Sequence, residues 1–250
     1  MQPKTFSFNK LKISKKKTDQ INNLIISEYK KKNIDLKKIF NSEIKDLPDL
    51  RTNTKLTLKL ENLLKDEIIS LLPKNNKISF SLQYPFNIRL SYQKIKKEKQ
   101  YSYSTNKLHS DVWSGAPLHS RNFIFYNIVS KKSSYCKIYK TLRGNKKYEN
   151  FKGDYSKINI EKKKLKEINY RPVSGLLISF DSLCPHKTYY PKEFKAIRLS
   201  MDFRVKLGNP YFNENKLVKY NKFVVSKKGQ PGLGYYWTLN KKKFKKLSLK

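Results

Sequence analysis

Three histidines, two cysteines and seven arginines are few for a chain of 250 residues that carries 49 lysines. Two cysteines, Cys136 and Cys184, cannot build a disulfide framework, and their scarcity points to a reducing compartment. It also restricts zinc. Cys184 stands beside His186 in Cys-Pro-His, but no Cys-x-x-Cys or His-x-x-x-His spacing supplies further ligands, so a buried structural thiol is the preferred reading. No apolar run approaches the roughly 18 residues of a membrane span. The lysines of MQPKTFSFNKLKISKKK are followed by neither an apolar stretch nor a small-residue cleavage site, which excludes a secretory signal of the usual form. A cytoplasmic protein without a membrane partner is expected.

Acidic residues are scarce as well: 19 Asp and Glu face 56 Lys and Arg, a formal charge of +37. Such an excess invites a phosphate polyanion, because neutralised phosphates release counterions. The kind of charge argues otherwise. Arginine is the better residue for bidentate phosphate and base recognition, and this chain uses little of it. Its richness in Lys, Asn, Ile, Ser and Tyr fits an AT-biased codon supply. A nucleic-acid partner is therefore not expected, whereas the lysine surface favours an anionic small-molecule substrate.

What the chain does have is a core: 38% hydrophobic and 13% aromatic residues exclude a disordered polymer. Two regimes share it. Residues 1–77 read as a helical region packed on the rest. Ile21, Leu24, Ile25 and Tyr29 recur at helical spacing, as do Leu56, Leu58, Leu60, Leu63, Leu64, Ile68 and Leu72 before the terminating Pro73. Residues 78–250 read as short β runs: 78–84, 87–93, 101–111, 121–130, 136–142, 175–181 and 196–207. Strands without crossover helices predict an antiparallel sandwich or barrel of the jelly-roll class, the whole forming one structural unit. The lysine-rich 144–170 reads as a loop or short helix at the barrel mouth. Gly229–Trp237 has three glycines but no Lys-Ser/Thr after them, so it reads as a turn-rich cover and not a phosphate loop.

The chemistry sits in His109-Ser110-Asp111. Residues i and i+2 of a strand, or at its end, project from one face, so imidazole and carboxylate can converge on one ion. His186, in the short loop after GLLISFD, supplies a third ligand from elsewhere. Two histidines and one carboxylate are the ligand set of non-haem Fe(II) oxygenases. Twelve residues further on, AIRLSMDFRV alternates strictly: Ile197, Leu199, Met201, Phe203 and Val205 on one face, Arg198, Ser200, Asp202 and Arg204 on the other. Arg198 can grip a carboxylate with both arms of its guanidinium, and Ser200 can donate to the same oxygens.

In this order, His-x-Asp, distant His and Arg-x-Ser resemble the Fe(II)/2-oxoglutarate dioxygenase superfamily, in particular its phytanoyl-CoA dioxygenase-like branch. KLHSDVWSGAP and IRLSMDFRVKLGNPY are similar to segments of oxygenases from bacterial carbohydrate-biosynthesis clusters, the streptomycin-biosynthesis type among them. The resemblance runs from about Leu82 to Tyr211. It implies a double-stranded β-helix, Fe(II) on His109, Asp111 and His186, and the far carboxylate of 2-oxoglutarate on Arg198 with help from Ser200. It further implies O₂ as oxidant, oxidative decarboxylation to succinate, and oxidation of a sugar, nucleotide sugar or related small metabolite. The retained Asp111 favours hydroxylation, desaturation or epimerisation over the halogenation run by relatives that have lost this carboxylate. The segment PLHSRNFIFYNI departs from the family pattern, and residues 1–77 carry no motif of it.

Several roles stay open at this level. His119 can substitute as a ligand, though it lies in a Pro-flanked loop. Trp113 either lines a substrate pocket or caps the barrel edge. Arg204 either grips an anionic substrate or pairs with Asp202 or another carboxylate. Asn122 and Tyr126 share a strand face and can reach a bound 2-oxo acid or serve the core. Two other functions compete: a lysine-rich polyanion-binding protein, and a cupin-type metal-dependent isomerase, which leaves Arg198 without a task.

Overall fold

The computed structural model describes residues 8–36, 50, 54–72, 80–84, 86–91, 106–113, 116, 120–142, 144–151, 158, 160, 165–191, 198–207, 235–239 and 244–247. It is mostly β, with an antiparallel main sheet and few helices. Strands are β1 (Asn9–Lys12), β2 (Phe80–Tyr84), β3 (Asn87–Ser91), β4 (Ser120–Val129), β5 (Tyr135–Ile138), β6 (Leu176–Asp181), β7 (His186–Tyr189), β8 (Arg198–Leu207), β9 (Tyr235–Leu239) and β10 (Phe244–Leu247). Helices are α1 (Lys15–Lys30), α2 (Thr54–Ser70) and the single-turn α3 (Lys146–Asn150).

Helix α1 starts because Ser14 caps it, accepting the Lys17 N–H at 3.4 Å. One stripe, Thr18, Ile21, Ile25 and Tyr29, is buried, and the chain leaves the helix through Asn33 in the left-handed region, φ 59°. In α2 the buried stripe is Leu56, Leu60, Leu64 and Ile68, a spacing of four that favours one helix face. Leu58 is off that stripe and exposed, so the sequence expectation for it does not hold. Pro73 lies outside the described residues.

The main sheet runs β1-β6-β4-β8-β2-β9-β10, with β3 beside β2 along the same edge of β8. Its first strand, β1, comes from the N-terminal region and pairs with β6. That strand was not foreseen, because four residues alternating lysine with Leu and Asn carry too weak a pattern. Likewise Tyr235–Leu239, read as cover, is a strand paired with β2. A second sheet pairs β5 with β7, and single bridges extend it through His109 on one side and Tyr139–Glu167 on the other. Going along the chain, the course alternates between sheets: β3, His109, β4, β5, β6, β7, β8.

Three layers follow. One face of the main sheet (Phe123, Phe125, Leu177, Met201, Phe203) shares a core with the apolar stripes of α1 and α2. The other face (Tyr126, Ile178, Phe180) packs on Cys136, Ile138 and Cys184 of the second sheet region. Phe203 anchors the first core between Phe86 and Phe123, with ring centroids 4.2 and 5.2 Å away. A register shift in β4 near Asn127 turns that side chain toward α1, where its amide donates to Asn22 Oδ1 at 3.2 Å. No helix among the described residues is long and apolar enough to cross a membrane.

Candidate metal centre

His109 and His186 face each other as a bridged antiparallel pair: His109 N–H donates to His186 C=O at 3.0 Å and His186 N–H to His109 C=O at 2.7 Å. Directly opposed residues project to the same side of a sheet. The rings therefore lie side by side, centroids 4.4 Å apart. His186 is the first residue of β7 and not part of a loop, because this pairing extends the strand. Asp111 sits at the start of a turn, closed by Trp113 N–H to Ser110 C=O (3.1 Å) and Ala116 N–H to Asp111 C=O (2.9 Å). The i and i+2 convergence is thus made by a bridge and a turn, and residues 106–111 are not a regular strand.

The three buried side chains offer ligand atoms all within 4.8 Å of one another. Each imidazole Nδ1 points at a carbonyl two residues earlier, Lys107 at 2.8 Å and Cys184 at 2.9 Å. A carbonyl only accepts, so Nδ1 carries the proton and Nε2 keeps its lone pair, the tautomer a metal requires. Both Nε2 atoms lie 3.9 Å from an Asp111 oxygen, His109 from Oδ1 and His186 from Oδ2. Burial, then the neighbouring His186, pushes His109 down to about 3, so it is neutral at pH 7. Burial alone would raise Asp111, but the Arg204 guanidinium beside it holds it well below the usual carboxylate range. Two imidazole nitrogens and one carboxylate oxygen form a donor set suited to a divalent transition metal.

A serine network fixes this geometry. Ser110 Oγ donates to Ser182 C=O and Ser120 Oγ to Ser182 Oγ, both at 2.8 Å, while Ser182 Oγ donates to Asn122 Oδ1 at 2.9 Å. The turn bearing Asp111 is thereby tied to the turn leading into His186. Asp181 shapes that second turn, its Oδ1 accepting the Leu183 N–H at 3.0 Å and its Oδ2 accepting Thr141 at 3.2 Å. Arg121, its cross-strand partner, donates to Ser179. Asn122 therefore serves the scaffold. Sequence reading missed Ser110, Ser182 and Asp181, whose only signal was polar residues inside two apolar stretches.

The polar face of β8 does not meet open water: Arg198 and Ser200 are buried with it. Asp202 is gripped by Arg89 and accepts from Asn87 Nδ2 at 3.1 Å. Arg204 pairs with Asp111 instead, Nε to Oδ2 at 3.0 Å and Nη2 to Oδ1 at 2.7 Å. Arg198 differs from both. Its Nε is buried without a hydrogen-bond partner, and among the described residues no carboxylate pairs with it. Around it stand neutral groups. Cys136 N–H donates to Tyr126 Oη (3.1 Å), and Tyr170 donates to Cys136 C=O, which leaves Tyr126 to donate to Tyr170 at 2.8 Å. Burial pushes the Cys136 thiol up to about 12, and the charges of Arg198 and Asp111 both reach it. Tyr126 thus closes a ring that joins the two sheets.

Trp113 is buried: its Nε1 donates to Tyr148 C=O at 2.9 Å and its ring meets Phe151 edge-on at 6.1 Å. It docks α3 against the turn of Asp111. Cys184 is buried, its thiol pushed up to about 12 by burial. Among the described residues the only grouping placed to hold a metal is His109, Asp111 and His186. His119 lies outside the described residues.

No protein-family model and no curated protein matches the chain. Solved structures do. The non-heme alpha-ketoglutarate-dependent epimerase SnoN from nogalamycin biosynthesis is similar at TM-score 0.55 and 9% identity, over 81% of this chain and 79% of that one. The non-heme monooxygenase ThoJ, metal-free, is similar at TM-score 0.51 and 9% identity, over 81% and 74%. EvdMO1 gives TM-score 0.50 and 12% identity, over 83% of this chain but 48% of its own. At these identities the likeness is one of fold.

Proposed function

We propose that the chain is an Fe(II)- and 2-oxoglutarate-dependent oxygenase built on a double-stranded β-helix, of the phytanoyl-CoA dioxygenase-like branch. It oxidises a sugar, nucleotide sugar or related small metabolite. The alternation of successive strands between two facing sheets supports the fold reading. The ligand set supports iron on His109, Asp111 and His186. The observation that carries the co-substrate is Arg198: a buried guanidinium with an unsatisfied Nε, walled by neutral hydroxyls, asks for an anion. A 2-oxo dicarboxylate that binds a metal at one end carries a second carboxylate that would answer such a cation. A cupin-type isomerase leaves this arginine idle.

When bound, Fe(II) with 2-oxoglutarate and O₂ supplies an oxidant strong enough to break an unactivated C–H bond, with succinate and CO₂ as co-products. The chain's own residues do the rest. Nδ1–H contacts to Lys107 and Cys184 hold both imidazoles with Nε2 forward. Asp111 would give the metal the carboxylate ligand that halogenating relatives lack, which favours hydroxylation or another oxidation over halogenation. Arg198, with Ser200 beside it, would anchor the distal carboxylate, while Phe180 packs edge-on against His186 at 5.3 Å and would keep water from that side.

The test is an anaerobic titration of purified protein with Fe(II) and 2-oxoglutarate, followed by the metal-to-ligand charge-transfer band. The band is expected in the wild type, and is lost in Asp111→Ala and in Arg198→Ala. Absence of the band in the wild type, or its persistence in both variants, overturns the reading. Succinate release against a panel of nucleotide sugars then identifies the substrate class.

A further inference from the structure

Asp111 is held by two parties at once. Its oxygens lie toward the histidine Nε2 atoms, yet each oxygen also accepts from Arg204, at 2.7 and 3.0 Å. A fork of this kind is the strongest hold a side chain can place on a carboxylate. Its selectivity is built into β8. Asp202, two residues away on the same strand face, is the nearer carboxylate in sequence, but Arg89 and Asn87 already occupy its two oxygens. Asn87 and Arg89 lie opposite Asp202 and Ser200 across the β3–β8 pairing, so this engagement is set by register. Arg204 reaches Asp111 instead. A divalent ion entering between the three ligands competes for lone pairs the guanidinium holds.

We infer that Arg204 is a positioning residue that aims the Asp111 carboxylate between the two imidazoles and competes with a metal ion for its oxygens. It yields one carboxylate oxygen to the incoming ion and retains the other. Two consequences follow. Metal affinity is held below what the three ligands alone would give, because a charge-assisted pair is broken on loading. And Asp111 is confined to one-oxygen coordination, which keeps a position open for the co-substrate. The inference rests on the metal-binding reading of His109, Asp111 and His186.

The experiment uses Ni(II) alone, titrated calorimetrically into metal-free full-length protein, with thermal melts of both forms. Arg204→Met is expected to bind Ni(II) about tenfold more tightly than wild type or better. Its metal-free melting temperature falls, and Ni(II) raises it by more than in the wild type. Arg204→Lys, which keeps the charge but not the fork, falls between the two, and carries the test alone if the methionine variant does not fold. Co(II) substitution adds a signature: its visible spectrum changes between wild type and Arg204→Met when the carboxylate gains a second contact to the metal. Unchanged or weaker Ni(II) binding in both variants, or equal loss of melting temperature with and without Ni(II), overturns the inference while leaving the metal site intact. If wild type and Asp111→Asn bind Ni(II) alike, the metal reading itself fails, and the inference with it.

Discussion

Replacing Arg198 by methionine separates what that residue does for the fold from what it does for a ligand. Methionine keeps most of the buried aliphatic stem and removes the guanidinium. In the protein without ligand, the Nε of Arg198 is buried with no acceptor, and an unsatisfied buried donor costs about 1–3 kcal/mol. For a chain of this size each kcal/mol moves the melting temperature by about 2–4 °C. Arg198→Met is therefore expected to melt about 2–12 °C higher than wild type in the absence of 2-oxoglutarate. Binding moves the other way. A charge-assisted, bidentate contact to a carboxylate is worth about 3 kcal/mol, so affinity for 2-oxoglutarate should fall about 100-fold. The assay pairs differential scanning calorimetry of the metal-free protein with calorimetric titration of 2-oxoglutarate into the Ni(II) form. A lower melting temperature would mean that the arginine has a structural anion. An unchanged affinity would mean that it faces no ligand. Either result refutes the reasoning.

Two further perturbations probe the scaffold. Glu61, on α2, is buried with both carboxyl oxygens unpartnered, and burial pushes it from the ordinary 4.5 up to about 8. The folded chain thus keeps a proton that the unfolded chain releases above 4.5, so stability declines as pH rises from 4.5 to 8 and levels off beyond. At pH 7 the cost is about 3 kcal/mol. Glu61→Gln should match wild type at pH 4.5 and melt several degrees higher at pH 8; parallel melting profiles from pH 4.5 to 8 would sink this. Gly175 turns the chain into β6 at φ +79°, where an added Cβ would stand 2.8 Å from Thr18 Oγ1 and 3.2 Å from Lys12 Nζ. Gly175→Ala should cost about 2–3 kcal/mol, part strain and part clash. Adding Thr18→Ala should recover only the clash, and full recovery in the melt would show that the backbone carries no strain.

The fold was legible wherever burial leaves a period in the sequence. Strand β8 shows this best: Leu199, Met201, Phe203 and Val205 are all buried on one face, as strict alternation demands. The α1 stripe of Ile21, Ile25 and Tyr29 is equally direct. What escaped was pairing without pattern. β1 is recruited to the edge of β6 through backbone hydrogen bonds that lysine side chains do not advertise, and β9 extends the sheet from a segment whose glycines and tyrosines read as turn. Neither is written in side-chain periodicity, because an added strand takes its register from the sheet it joins.

At the site the same division holds, and it explains why the three grouped side chains could be picked out but the partners that place them could not. His109, Asp111 and His186 are few enough and spaced well enough to be found one by one. Their placement depends on partners chosen in three dimensions. Arg204 could have paired with Asp202 on its own strand, and only the capture of that carboxylate by Arg89 and Asn87, residues more than a hundred positions earlier, sends it to Asp111. Arg198 sits on the same face six residues before and, among the described residues, receives no such partner. One strand thus carries two arginines with opposite fates, one spent on holding a ligand carboxylate and one kept uncompensated. A sequence shows both as polar positions of a single alternation. What distinguishes them is which carboxylates the neighbouring strands have already claimed, and that is a property of register.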